Sequence, residues 1–284
     1  MYIRRRRRIE LLMKGLMITS LTVIVGVLVA IIVVILIRGG RALSLEMIFQ
    51  TPKGGYYLGK GGGIANAIVG SLCLGFGAMF VSLFISLPVA FALQREYTNR
   101  TLAAVTKLAL DILWGTPSIV YGAFGFVIMV FFGLHVSMLG GIIALSFLML
   151  PIMTRAMDEI IRMVPVELKE ISYSLGATKL ETSVGVVFRQ ALPGIITGMM
   201  LAFGRGIGDA ASILFTAGYT DFMPRSIFDP VASLPLAVFF QIGTPFPEVQ
   251  QRAYAAALIL LVIVLAVNLI ARLLHHRLSR NIIR

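Results

Sequence analysis

The apolar residues of this 284-residue chain come in blocks of about twenty, the length at which a helix crosses a bilayer. A backbone amide or carbonyl finds no water in hydrocarbon, so each block must close its own hydrogen bonds as a helix. The blocks predict six spans, at residues 16–37, 64–93, 117–133, 139–161, 193–216 and 253–274. Charged residues make up 13% of the chain, about half the share of a soluble domain. A water-soluble enzyme, a disordered chain and a disulfide scaffold are excluded, the last because Cys73 is the single cysteine. The expected fold class is an all-α polytopic membrane protein.

The third block is interrupted. Apolar character runs from Leu102 to Gly133, but Lys107 and Asp111 lie four apart within it and Pro117 breaks it. The pattern predicts an interfacial approach over residues 102–114, then a fresh helix with Pro117 at its first position and Thr116 as its cap.

The formal net charge of +12 raises a nucleic-acid partner. The basic residues instead sit between and beyond the apolar blocks, where they set topology. With the N-terminus inside, 18 of the 25 lysines and arginines fall inside and six outside, while Arg205 falls within the fifth block. Both termini are therefore expected in the cytoplasm. Arg4 to Arg8 could open a cleaved signal peptide, but the apolar stretch that follows is too long and no A-x-A site precedes Arg38. An uncleaved signal anchor is expected, with a twin-arginine address as the alternative. The organisation expected is a basic segment, anchor helix and external loop over residues 1–63, a transmembrane core over 64–275, and a basic tail over 276–284 that contacts anionic lipid.

In the fifth block Gly194, Gly198, Ala202, Gly206 and Ala210 recur every four residues, a stripe that allows close helix packing. Arg205 and Asp209 lie one turn apart near the middle of this predicted span, where an arginine costs roughly 2.5–3.5 kcal/mol on insertion scales. Both should face protein or water, and their spacing lets them pair. Either Arg205 offers its fork to an oxyanion with Asp209 as a gate partner, or the two form a buried structural pair. Thr116 and Ser118 flank Pro117, so the third span opens with N–H groups free to bind an anion; a plain capped kink is the competing reading.

Between the fourth and fifth blocks, Pro165 can open a helix on which Leu168, Ile171 and Leu175 share a face. Gly176 stops it, and Thr178-Lys179-Leu180-Glu181 is a capping box that starts a second helix. This helix–glycine–helix knob either docks a partner or lies on lipid headgroups. In the external segment 218–251, residues 231–242 are apolar but too short to span, so they are expected to be interfacial or re-entrant.

Several weaker signals lead nowhere. Residues 54–61 nearly spell a phosphate-binding loop, but Gly61 stands where the Mg²⁺-binding hydroxyl belongs, so ATP binding by this chain is not expected. Gly204, Gly206 and Gly208 miss the dinucleotide spacing. His135, His275 and His276 make no metal set, and no nucleophile–base arrangement suggests catalysis.

Glu170-Ile171-Ser172, followed after three residues by Gly176, resembles the E-A-A-x3-G signature of permease subunits of binding-protein-dependent ABC importers. The family's L-P pair is out of register, with Leu192-Pro193 four residues late. Gly62 to Gly70, Gly115 to Gly122, and Leu192 to Gly198 leading through Arg205 to Gly218 are similar to the phosphate permease (PstA-type) subfamily. That subfamily reads R-x-x-G-E-T-A-P where this chain has Arg205-Gly206-Ile207-Gly208-Asp209-Ala210-Ala211-Ser212. The resemblance implies a type I ABC importer permease fold of six transmembrane helices. It implies that the loop carrying Glu170, Ile171, Ser172 and Gly176 sits in a groove of a separate ATPase. Phosphate would pass near Arg205, Asp209, Thr116 and Ser118. The implied partners are a PstC-like permease, a PstB-like ATPase dimer that carries ATP and Mg, and an external PstS-like binding protein, with no cofactor on this chain. Rival readings are the same machine moving sulfate or molybdate, an ATP-independent secondary transporter, and a membrane scaffold or sensor.

Overall fold

The computed structural model describes residues 2–54 and 61–278, and these residues are mostly helical. In chain order the helices are α1 (Tyr2–Ala42), α2 (Leu45–Phe49), α3 (Ala65–Ala92), α4 (Arg100–Gly115), α5 (Ser118–Phe131), α6 (Met138–Arg162), α7 (Val166–Ser174) and α8 (Lys179–Thr182). A π turn (Ser183–Val187) joins α8 to α9 (Phe188–Ile207), and α10 (Leu234–Ile242) and α11 (Pro247–Leu278) follow. The predicted blocks at 64–93 and 139–161 coincide with α3 and α6 to within a residue at each end. Those at 16–37 and 253–274 lie inside the longer α1 and α11. Most of the near-match to a phosphate-binding loop (residues 55–60 of 54–61) and part of the basic tail (279–284) lie outside the described residues.

Close approach to α6 organises the bundle. On α3, Ser82 donates to the carbonyl of Ser146 at 2.8 Å and Ser86 to that of Leu150 at 3.2 Å, and Gln94, just past its end, donates to the Asp158 carboxylate at 3.0 Å. Numbers rise together on both helices, so α3 and α6 run parallel. A hydroxyl reaches a neighbouring backbone only where the interface is lined by small side chains, and Ala78, Ser82, Ser86 and Ala90 supply that stripe, all fully buried. The predicted stripe on α9 closes the other side of α6. A Cβ on Gly206 would strike Met149, one on Gly198 would stand 3.0 Å from the Ala156 Cβ, and one on Gly194 would meet Ile160 at 2.5 Å. Here numbers rise against fall, so α9 is antiparallel to α6. Thr197 beside His275 and Gly204 beside Asn268 place α11 antiparallel to α9.

The third block differs from expectation. At about 21 Å, α5 is too short to cross hydrocarbon alone. It forms one broken span with α4, from which it bends by 100°. Both limbs follow α6 in antiparallel order: Lys107 pairs with Asp158 and Asp111 with Arg155 on α4, and Gly125 and Gly140 mark close approaches on α5. The two charges that suggested an interfacial segment are thus neutralised by α6. The parallel sense of α3 and α6 also demands an odd number of crossings between them, which the bent pair supplies. Pro117 stands at the N-cap of α5, one residue before the expected position, with φ −57° and ψ 138°. Thr116 does not cap α5; its hydroxyl donates back to the Ile112 carbonyl at 2.8 Å.

The fifth block also ends early. α9 stops at Ile207, and residues 209–216 form turns rather than the expected last two turns of helix. In the external segment, Val231, Ala232, Leu234, Leu236 and Ala237 have no exposed surface, so this stretch re-enters the bundle rather than lying at the interface. Gly70 admits the Ala232 carbonyl and Ser71 accepts a hydrogen bond from the Leu234 amide at 2.7 Å.

Gly198→Leu should force α9 off α6 and cost about 1–3 kcal/mol of stability, the usual cost of overpacking. Gly26→Ala, on open surface of α1, should leave the unfolding midpoint of the detergent-solubilised chain unchanged.

Candidate functional site

The four residues expected along a substrate path lie at two places. Arg205 is in the last turn of α9 and is exposed, next to the buried stripe of Ala202 and Gly206. Asp209 lies beyond the helix end, where its Oδ2 accepts a hydrogen bond from the Ser212 amide at 2.8 Å. The expected Arg205–Asp209 pair is therefore not formed: among the described residues no hydrogen bond or ion pair joins them. The physical reason is helix termination, because the i,i+4 geometry needs a helix that runs through residue 209. Asp209 instead starts the following turn as a side-chain cap.

Thr116 and Ser118 flank the bend between α4 and α5. Tyr121, one turn on, donates to the Leu113 carbonyl at 2.6 Å and fastens the bend. The turns after Asp209 pack on this part of α5, because Gly122 and Gly125 leave room for the carbonyl of Ser212 and the side chain of Thr216. The fold thus brings residues 209–216 against the beginning of α5. No hydrogen bond joins Arg205 or Asp209 to Thr116 or Ser118 among the described residues. The Ser212 hydroxyl is buried there without a partner.

At one end of the bundle stands the helix–glycine–helix knob. Pro165 occupies the N-cap of α7, one residue before the expected first position. Gly176 has φ +87°, and the Gly176 and Ala177 amides donate to the carbonyls of Tyr173 and Ser172, a Schellman stop. Thr178 and Glu181 form the expected capping box, and the backbone and side-chain hydrogen bonds from Thr178 hold the Glu181 carboxyl below its ordinary range. Leu168 is half-buried against the bundle, whereas Ile171 and Leu175, expected on the same face, are exposed together with Val166 and Leu180. Glu170 is exposed, and Ser172 is hydrogen-bonded to the Thr182 hydroxyl at 2.9 Å.

The knob is tied to the α3–α4 turn by contacts that sequence reasoning missed. Lys169 pairs with Glu96 at 2.9 Å, Lys179 donates to the Glu96 carbonyl at 3.0 Å, and Tyr97 donates to the Lys179 carbonyl at 2.8 Å. Beyond them Asp158, almost fully buried, takes Lys107 at 3.2 Å and Arg162 at 2.9 Å in addition to Gln94. Arg155, Asp158 and Arg162 on the last two turns of α6 were the available signal, since charges at that spacing share one face. Because α8, the π turn and α9 form one helical path from Lys179 to Ile207, about 43 Å long, the knob and Arg205 are the two ends of one rod.

Burial pulls the Glu96 carboxyl up, but the Lys169 hydrogen bond, its own backbone and the charges of Lys169 and Lys179 outweigh that and hold it below the ordinary 4.5. A depressed carboxylate stabilises above its unfolded value and loses that contribution as pH falls through the folded one. Amide exchange in α7, corrected for intrinsic rate, should therefore accelerate on acidification below 4.5, by a few-fold for a pair of ~1 kcal/mol. Glu96→Gln should show the faster exchange already at neutral pH, with no further response to acid.

A family model described as "Binding-protein-dependent transport system inner membrane component" matches residues 85–282. A protein of Xylella fastidiosa named phosphate transport system permease protein PstA is 39% identical over 220 residues, covering 75% of each chain. The PstA of Haemophilus influenzae is 31% identical over 265 residues, covering 92% of each. Mycobacterium tuberculosis PstA 1 is 34% identical over 222 residues, covering 78% of this chain and 73% of its own. Among solved structures, a chain of the MetNI methionine ABC transporter in an inward-facing conformation superposes with a TM-score of 0.64 at 17% identity. It covers 76% of this chain and 95% of its own, and the fold is the type I importer permease fold.

Proposed function

The chain belongs to the family of binding-protein-dependent transport system inner membrane components, and on that premise we propose that it passes inorganic phosphate across the cytoplasmic membrane in an ATP-driven importer. It is a multi-pass inner-membrane transporter subunit, not an enzyme. Arg205 carries the substrate assignment: it is an exposed guanidinium at the end of a spanning helix, with no acidic partner among the described residues. A planar fork left unneutralised at such a place suits a tetrahedral oxyanion, which it can hold through two parallel hydrogen bonds. The names of relatives that share about three-quarters of the chain support phosphate over sulfate or molybdate.

Six crossings leave both termini on one side, and the excess of basic residues on that side assigns it to the cytoplasm. The knob formed by Glu170, Ile171, Ser172 and Gly176 then faces a PstB-like ATPase dimer, which holds ATP and Mg and carries the hydrolysis. Its exposed apolar residues, Ile171 and Leu175 above all, suit a groove in that partner. A PstC-like second permease completes the path, and a PstS-like binding protein delivers phosphate at the opposite end. Closure of the ATPase pushes on α7. The Ser172–Thr182 hydrogen bond passes the displacement to α8, the Lys169–Glu96 pair passes it to the α3–α4 turn, and the rod carries it from α8 to Arg205, so that access switches from one side to the other. Phosphate then passes Arg205 at the end of α9 and Thr116 and Ser118 at the α4–α5 bend, and Asp209, held by the Ser212 amide, leaves the guanidinium open to the anion.

Labelled phosphate uptake in cells lacking this chain, complemented with wild type or Arg205→Gln, tests the assignment. Wild type should restore uptake that excess sulfate or molybdate does not suppress. A stably inserted Arg205→Gln should restore at least about tenfold less, the loss of one charge-assisted fork. Equal restoration would remove Arg205 from the path, and no restoration by wild type beside its partners would overturn phosphate as the substrate.

A further inference from the structure

Beside the knob a cavity of about 720 Å³ opens between the α3–α4 turn and the end of α6. Its wall carries Arg95, Arg100, Lys107 and Arg162, together with Thr98 and Asn99. Four cations share one cavity against the single carboxylate of Asp158, which engages Lys107 through one oxygen and only the Nε of Arg162 through the other. Arg95 and Arg100 have no acidic partner among the described residues, and the nearby Glu96 is taken by Lys169. Like charges held together in a concave wall raise one another's energy, and an anion between them relieves it. The first two turns of α4 form one wall of the cavity, through Arg100, Ala103, Ala104 and Lys107.

We propose that this cavity is a binding site for a phosphate-bearing group, separate from the transport path at Arg205. The site is distinct in position, at the end of the bundle that holds α7 and α8, and its chemistry does not depend on what the chain transports. Two sources supply such a group: the headgroup of an anionic phospholipid, and free phosphate. The adjoining surface favours the lipid. Leu102, Val105, Leu108 and Ile112 recur along the other, exposed side of α4, each more than half exposed, and give acyl chains an apolar seat on the helix that carries two of the cations. A headgroup so held would brace α4 and the α3–α4 turn, and through Glu96 the knob itself.

The test uses the full-length chain purified in mild detergent, since Arg95 and Arg100 lie outside the Asp158 network and can be replaced without breaking it. In one arm the chain is equilibrated with mixed phosphatidylglycerol–phosphatidylcholine vesicles, and the phosphatidylglycerol retained per chain is measured by native mass spectrometry. In the other, inorganic phosphate is titrated against thermal unfolding in phosphatidylcholine alone, in an Arg205→Gln background so that the transport path does not contribute. Arg95→Gln/Arg100→Gln should lower retention roughly tenfold, the expected scale for two basic residues at an anionic surface. Arg41→Gln/Arg225→Gln, which removes the same charge from exposed positions away from the cavity, should not. Arg95→Lys/Arg100→Lys should restore binding, which separates loss of charge from loss of fold. A loss confined to the vesicle arm assigns the site to lipid, and a loss of phosphate-dependent stabilisation assigns it to the free ion. Unchanged binding in both arms, or an equal loss in the control pair, would overturn the site.

Discussion

The closeness of α6 to its neighbours is the constraint on which the rest of the structure depends. Lipid tails are as apolar as leucine, so helices in a bilayer gain little from hiding hydrophobic surface from one another and must associate through packing and hydrogen bonds. Here α3 approaches on a stripe of alanine and serine and α9 on a stripe of glycine and alanine, with Met149, Met153 and Met157 filling the space between. Serine hydroxyls bonded to α6 carbonyls fix the register of α3. Once both registers are set, the direction of every later crossing follows.

That packing has a functional consequence. In the proposed coupling, α9 is seated on α6 from Gly194 to Gly206, so a push at α8 that the π turn does not take up travels towards Arg205. The polar ties converge on the same end: Lys169 and Lys179 on the Glu96 turn, and Lys107, Arg162 and Gln94 on Asp158. All but the Arg162–Asp158 pair, which lies within α6, join two elements, so the knob is held to the bundle rather than on a tether. The basic cavity lies among these ties, where a bound anion would alter how stiffly α4 is held.

Much of this was legible in residue order. The ends of α3 and α6, the left-handed Gly176, the Thr178–Glu181 capping box and the glycine stripe of α9 are local patterns, set by spacings of three, four or twenty residues. What escaped depended on partners far away in sequence. Lys107 and Asp111 read as reasons to keep α4 out of the membrane, because their counter-charges, Asp158 and Arg155, lie more than forty residues on. Residues 231–242 read as interfacial or re-entrant, and what decides for re-entry, Gly70 and Ser71, belongs to another helix. The Arg205–Asp209 pair was a periodicity argument carried past the point where the helix stops. The α3 stripe was visible at four-residue spacing and passed unnoticed beside the stronger hydropathy signal of its span.

The central claim is that α8, the π turn and α9 act as one rod between the docking knob and Arg205. Cys73 is the single native cysteine and can be replaced, so spin labels placed at Leu180 and Gly208 report the length of the rod directly. Their separation, measured by pulsed electron resonance in the assembled importer, should be the same without nucleotide and with ATP trapped. A change of a helical turn, about 5.4 Å, on adding ATP would mean that the π turn is a hinge. It would also mean that the knob and Arg205 are not mechanically joined.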